Sequence, residues 1–298
     1  MAKDSPHAPG KITGARWRAH KARRILLTIA VVAACVYGAA LLFLISQETR
    51  IVFEHGRPLG PLRPAAPFEQ VELGRGDVRQ FAWVMRHREP DAPWLLYLHG
   101  NSATVASRVN IVRYEGLRDA GLNVVAPEYR GFGGLAGVPS EASVTDDAVA
   151  GYRYMRETLG IPASRIIIFG WSLGSAVAVN VAARMPSAVV ILEGAPASLV
   201  AIGERRYPWM PIRRIMRNRF ESILKVGQID APMLFLHSPE DEIIPIEEGR
   251  RLFEVASPPK HFVEVRGGHI GPADVDTARY FGSIRAFLAA RGAMGAER

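Results

Sequence analysis

The chain has almost no cysteine: Cys35 stands alone among 298 residues. That excludes a disulfide within one chain and any metal site built on thiolates. Cys35 also lies inside an apolar run, where a thiol is a passive hydrophobe rather than a nucleophile. There is no internal repeat and no long low-complexity segment. Hydrophobic residues make up 48% and charged residues 22%, the balance of an ordinary packed domain. The length suits one large α/β domain plus an additional segment. A basic face is missing as well. The formal net charge is +8, but residues 1–24 hold Lys3, Lys11, Arg16, Arg18, Lys21, Arg23 and Arg24 against Asp4 alone. The remainder is close to neutral, so no nucleic-acid partner is expected.

Charge is absent altogether from residues 25–45, ILLTIAVVAACVYGAALLFLI. A helix of that length spans about 30 Å, the thickness of a bilayer core, and satisfies its own backbone polar groups. Seven Lys/Arg precede it, and Gln47, Glu48, Thr49 and Arg50 follow. The asymmetry puts the 1–24 tail in the cytoplasm and the rest of the chain on the non-cytoplasmic, periplasmic or extracellular side. A cleaved signal peptide has a shorter apolar core, about 7–15 residues, and a small-residue cleavage site. Here Leu41-Leu42-Phe43-Leu44-Ile45 follows the small-residue cluster, so an uncleaved anchor is expected. Residues 46–67, with Gly56, Pro58, Gly60, Pro61, Pro64 and Pro67, read as an extended linker.

From 68 to 292 short apolar runs alternate with helix-like segments. Strands are expected at 69–73, 80–86, 94–98, 122–126, 165–169, 188–192, 232–236 and 261–265. Helices are expected at 104–119, 143–159, 173–185, 246–256 and 274–290. The later strands are short and nearly all apolar, as for parallel strands covered on both faces. The alternation implies an α/β fold with a mostly parallel central sheet and helices on both faces, opened by an antiparallel pair. Residues 196–229, broken by Pro196, Pro208 and Pro211, are expected to form a small cap insertion over the sheet.

One motif carries chemistry. Gly170-Trp171-Ser172-Leu173-Gly174 follows the strand RIIIF and precedes the helix-like SAVAVNVAARM. A serine between a strand and a helix, flanked by glycines, is presented on a turn too tight for side chains two positions away. A serine hydroxyl needs a base, itself oriented by an acid, and in this arrangement the chain order is serine, acid, histidine. Only His261 and His269 lie beyond the strand at 232–236. His261 falls at a strand start, whereas His269, in Gly267-Gly268-His269, falls just past a strand end and is the expected base. Three carboxylates, Glu240, Asp241 and Glu242, follow strand 232–236. Asp241 is favoured because its neighbours read as solvated loop charges, although it could instead cap the helix at 246–256. Glu193, after strand 188–192, is the alternative acid. The backbone N–H groups of Asn101, after His99-Gly100, and of Leu173, at a helix start, are placed to receive an oxyanion. His99 reads as structural.

With these residues in place the chain resembles the α/β-hydrolase superfamily, and more narrowly its Bem46-like, ABHD13/ABHD17-like branch of membrane-associated serine hydrolases. The matching stretches are LLYLHGNSA (95–103), VVAPEYRGFGG (124–134), PSEASVTDDA (139–148), IIIFGWSLGSAVA (166–178), ILEGAPASL (191–199), PMLFLHSPEDEIIP (232–245) and GGHIG (267–271). The resemblance implies catalytic roles for Ser172, Asp241 and His269 and an oxyanion role for the amides of Asn101 and Leu173. It implies ester or thioester cleavage on an acyl or lipid-like substrate, with neither metal nor cofactor. Peptide cleavage by the same triad and a non-catalytic signalling role remain as alternatives. The chain departs from the pattern with HGNSAT in place of HGNAGN, with Ser238 where a glycine is usual, and with Ile270 after the histidine. The segment RRYPWMPIRRIMRNR (205–219) either rests its arginines and aromatics against anionic headgroups or pairs those arginines within a solvated cap.

Overall fold

The computed structural model describes residues 13–65, 67–74 and 79–294. The first half of the basic tail, with Lys3, Asp4 and Lys11, lies outside them. The chain falls into two units, Met1–Gln47 and Glu48–Arg298. Helix α1 (Thr13–Phe53) begins in the first and ends in the second; the part in the first carries the uncharged run, with Leu26, Leu27, Val36, Leu42 and Phe43 all exposed on it. Its apolar part has a mean hydropathy of 2.5, so it is long and apolar enough to cross a membrane.

The second unit is built on an eight-stranded sheet of order β1-β2-β4-β3-β5-β6-β7-β8. Its strands are β1 (Glu69–Glu72), β2 (Phe81–Met85), β3 (Trp94–Leu98), β4 (Asn123–Pro127), β5 (Ile166–Trp171), β6 (Val189–Glu193), β7 (Met233–His237) and β8 (Lys260–Glu264). The β1–β2 and β2–β4 pairs are antiparallel, and every other pair is parallel. Strands β3 and β5 carry no charged residue, and both of their faces are covered. Leu96, Leu98, Ile166 and Ile168 enter one core, with Val144 and Ala148 of α3 (Glu141–Arg153), Val177 of α4 (Leu173–Ala182) and Leu252 of α7 (Ile246–Val255). Leu95, Tyr97, Ile167 and Phe169 enter the other, with Tyr114 of α2 (Arg108–Asp119) and Ile284 of α9 (Thr277–Ala290). Successive side chains alternate faces, so a strand covered on both sides favours apolar residues throughout; the polar exceptions, Asn123, Glu193 and His237, lie at strand ends.

Between β6 and β7 lie two short helices, α5 (Leu199–Arg206) and α6 (Ile212–Ile215), and a third short helix, α8 (Pro272–Val275), precedes α9. The insertion is bonded to Glu48 of α1, to Glu141 of α3 and to Glu248 of α7.

Two of the boundaries that differ from the sequence reading have an identifiable cause. Helix α2 begins at Arg108 rather than 104, because the Val105 amide donates to Glu128 and the Thr104 amide to the Ser107 hydroxyl, which hold 104–107 as a turn. The linker expected over 46–67 does not begin at 46. Helix α1 continues to Phe53, which is fully buried with its ring 6.1 Å from that of Phe220. The chain-breaking glycines and prolines begin only at Gly56, and the hydrolase unit therefore begins at Glu48 rather than at 68. Phe53→Ala should lower the stability of this unit by about 3–5 kcal/mol, through lost burial and the cavity left behind. A shift of the urea midpoint measures it; an unchanged midpoint would show that the last turn of α1 is not part of the core.

Candidate active site

β5 ends by turning sharply into α4, and Ser172 sits on the turn at φ +56°, ψ −123°. No L-residue adopts that conformation cheaply. Two glycines make the turn possible. A Cβ at Gly170 would come 2.2 Å from the Gly174 carbonyl oxygen, and one at Gly174 would come 2.0 Å from that of Leu98. The Ser172 amide donates to the Glu193 carbonyl at 2.8 Å, tying the turn to the neighbouring strand.

The three side chains singled out in sequence come together across nearly a hundred residues. The Ser172 hydroxyl lies 2.8 Å from His269 Nε2, and His269 Nδ1 lies 2.7 Å from Asp241 Oδ2. A carboxylate only accepts, so Nδ1–H donates to Asp241 and Nε2 is left to accept the serine proton. The other Asp241 oxygen, Oδ1, accepts the amides of Ile243 at 2.9 Å and Ile244 at 2.8 Å. Asp241 is thus turned toward His269 by its own loop and does not cap α7, whose N-cap Pro245 receives no side-chain bond. Glu240 and Glu242 are exposed, and so is His261.

Glu193, the alternative acid, is otherwise engaged. Its carboxylate accepts from Arg113 Nε at 2.9 Å and from the Tyr280 hydroxyl at 2.5 Å, and both Arg113 and Glu193 are buried. Arg113 stacks on Trp171 at 4.8 Å and also donates to the Ile270 carbonyl. The Trp171 indole N–H donates to the His269 carbonyl at 3.1 Å. This buried pair therefore braces the histidine loop from behind.

Beside Ser172, Gly100 allows the β3 loop to approach: a Cβ there would lie 3.1 Å from the Ser172 Cβ. Asn101 follows it, and Leu173 is the first residue of α4. Among the described residues no protein acceptor is paired with either amide. Free N–H groups at a helix start, with its dipole, favour a negative oxygen. His99 is fully buried, with Nε2 2.9 Å from Glu128 Oε1. Among the described residues no group of three or more His, Cys, Asp or Glu is arranged to hold a metal. Four of the insertion's arginines meet acids: Arg205 with Glu248, Arg213 with Glu204, Arg217 with Glu48 and Arg219 with Glu221. Arg206 and Arg214 are exposed.

Sequence reasoning passed over two residues that shape the site. Ser238, noted only as a departure, accepts the Gly268 amide at 3.1 Å and the Glu240 amide at 3.2 Å, joining the acid loop to the histidine loop. His237 donates from Nε2 to the Ile244 carbonyl at 2.8 Å and lies 3.6 Å from Asp241. Its signal in sequence was weak, because a histidine ending a strand has no recognisable spacing to its partners.

Burial pushes the His237 imidazole below its ordinary 6.5, against the raising effects of the Ile244 hydrogen bond and Asp241. The unfolded chain then takes up that proton more readily than the folded one. Its contribution to stability is full above pH 6.5 and is lost as pH falls through the window beneath. Between pH 7.5 and about 5.5 the urea midpoint should fall more in the wild type than in His237→Gln. Equal falls would contradict a buried neutral His237.

Residues 95–290 match the model of the alpha/beta hydrolase family. An uncharacterized protein of Mycobacterium tuberculosis is 32% identical over 275 residues, covering 90% of this chain and 97% of its own length. The lysophosphatidylserine lipase ABHD12 of Danio rerio is 31% identical over 196 residues, 60% of this chain and 51% of its own. The chain thus spans about half the length of that lipase. Among solved structures, an esterase of Pyrococcus furiosus superposes with a TM-score of 0.66 at 17% identity, over 80% of this chain and 97% of its own. The chain belongs to the alpha/beta hydrolase family and is a hydrolase.

Proposed function

We propose that this protein is a membrane-anchored serine hydrolase that cleaves carboxylic esters or thioesters of lipid-like substrates through an acyl-enzyme on Ser172. The observation that carries the reading is the continuous relay from the Ser172 hydroxyl through His269 to Asp241, at 2.8 and 2.7 Å. The Ser172 oxygen attacks the substrate carbonyl while its proton passes to His269 Nε2. Asp241 stabilises the resulting imidazolium and holds the ring in place. The amides of Asn101 and Leu173 receive the oxyanion; one such donor is typically worth on the order of 10²–10³ in rate. His269 then protonates the leaving alcohol or thiol, and water, deprotonated by the same histidine, releases the acid and restores Ser172.

The substrate class is supported by the relatives, an ABHD12 lysophosphatidylserine lipase and an esterase, and by helix α1. A helix with exposed Leu26, Leu27, Leu42 and Phe43 is at ease in hydrocarbon and not in water. In this reading the 25–45 run spans the bilayer. The basic tail then stays in the cytoplasm and the hydrolase unit lies on the other side. Anchoring keeps the enzyme where single-chain acyl lipids partition.

The test is a panel of p-nitrophenyl esters of increasing chain length, a lysophospholipid, and matching peptide amides, assayed on the full chain in detergent. Esters should be turned over. Ser172→Ala and His269→Ala should each lose kcat on the order of 10⁴-fold or more, and Asp241→Asn about 10⁴-fold. Ester hydrolysis unchanged in Ser172→Ala would refute the assignment, and amides cleaved faster than esters would replace it with a peptidase.

A further inference from the structure

The last turn of α1 is bonded to both the loop beside Ser172 and the insertion, and every contact lies inside the unit that begins at Glu48. The Val52 carbonyl accepts the Asn101 side-chain amide at 3.3 Å, and the Phe53 carbonyl accepts the Ser102 backbone amide at 3.2 Å. One turn earlier, Glu48 is buried and accepts four N–H groups from the insertion. Its Oε1 takes the amides of Arg217 at 2.8 Å and Asn218 at 2.7 Å and the Asn218 side chain at 3.1 Å. Its Oε2 takes Arg217 Nε at 3.0 Å. Asn218 in turn accepts the Glu141 amide at 2.8 Å, and Glu141 Oε1 accepts from Asn180, on the same helix α4 that Leu173 opens.

Backbone strain points to the same place. Four non-glycine residues have positive φ among the described residues: Ser172 at +56°, and Glu54 at +44°, Ser102 at +49° and Phe220 at +40°. The last three surround this junction. Glu54 follows Phe53, Ser102 is held by the Phe53 carbonyl, and the Phe220 ring meets that of Phe53. Strained residues persist only where their surroundings over-determine them, and they gather at sites whose geometry matters. One of them, Ser102, lies on the loop bearing the Asn101 amide, and the other two flank or meet Phe53, whose carbonyl holds that loop.

We propose that Glu48 is a positioning residue for the oxyanion hole. It locks the last turn of α1 to the insertion, and that turn holds the Asn101–Ser102 loop so that the Asn101 amide meets the developing oxyanion. This rests on the serine-hydrolase reading above. Glu48 touches neither substrate nor Ser172. It acts through the carbonyls of Val52 and Phe53. Removing its carboxylate frees the turn, and a donor displaced by a fraction of an ångström stabilises the transition state less while leaving substrate binding almost unchanged.

The experiment uses the full chain in detergent, with Glu48→Ala, Glu48→Gln and, as a control on the insertion, Arg213→Ala, whose side chain is exposed and pairs with Glu204. Active sites are counted by fluorophosphonate titration. Then kcat per titrated site, KM for a p-nitrophenyl ester and Ki for an aryl trifluoromethyl ketone, which mimics the tetrahedral intermediate, are measured. In Glu48→Ala, kcat per site should fall by about tenfold to a hundredfold with KM little changed. Ki should rise by the factor by which kcat/KM falls. Glu48→Gln keeps an oxygen for the two backbone amides, so it should lose less, and Arg213→Ala should match the wild type. If Glu48→Ala does not fold, Glu48→Gln decides alone by the same pair of readings. Wild-type kcat per site and Ki in the folded Glu48 variants, even with fewer titratable sites, would overturn the proposal and leave a purely structural role. A wild type without Ser172-dependent turnover would remove both readings, whereas an active one with unaffected Glu48 variants would remove this one alone.

Discussion

The turn at Ser172 is the constraint on which the rest of the molecule is arranged. Its φ of +56° costs on the order of 1–3 kcal/mol and would relax if the surroundings allowed it. They do not allow it. Strand β5 enters with Gly170 pressed against the start of α4, and α4 leaves with Gly174 pressed against the end of β3. The Ser172 amide is taken by the end of β6. Three parallel strands and one helix therefore converge on a single hydroxyl, and the parallel sheet puts their carboxyl ends, with the loops that carry the other site residues, on one edge.

Those loops hold one another. The acid loop wraps its own amides around one oxygen of Asp241 and offers the other to His269. Ser238 joins it to the glycine turn of the histidine loop, and Trp171 and Arg113 grip that loop from its far side. Glu193 and Asp241 show how environment separates two carboxylates at neighbouring strand ends. Glu193 is sequestered by Arg113 and Tyr280, while Asp241 keeps a free oxygen facing an imidazole.

Much of this was legible in the sequence because it is local. A serine two residues from each of two glycines, between an apolar strand and a small-residue helix, signals a sharp turn without any structure. Runs such as WLLYL and, after Arg165, IIIF announce burial on both faces by carrying no charged side chain. His269 was legible as the histidine in a glycine turn beyond a strand end. What sequence left obscure depends on distant partners. That Glu193 is engaged elsewhere and does not face His269 depends on Arg113, 80 residues from it along the chain. The linker is expected from 46 because Gln47, Glu48, Thr49 and Arg50 read as the polar edge of a membrane span, until Asn218 is brought to Glu48 and Phe220 to Phe53. Ser238 registered only as a departure from a motif, since its partner Gly268 lies 30 residues on.

Helix α1 ends inside the unit that carries Ser172. The proposed function stands on this serine, activated by His269, as the nucleophile. The most direct measurement is to treat the full chain with a fluorophosphonate and locate the adduct by peptide mass spectrometry. One adduct, on Ser172, should form rapidly in the wild type and be suppressed in His269→Ala. An adduct on another residue, or none in a folded protein, would contradict that role for Ser172.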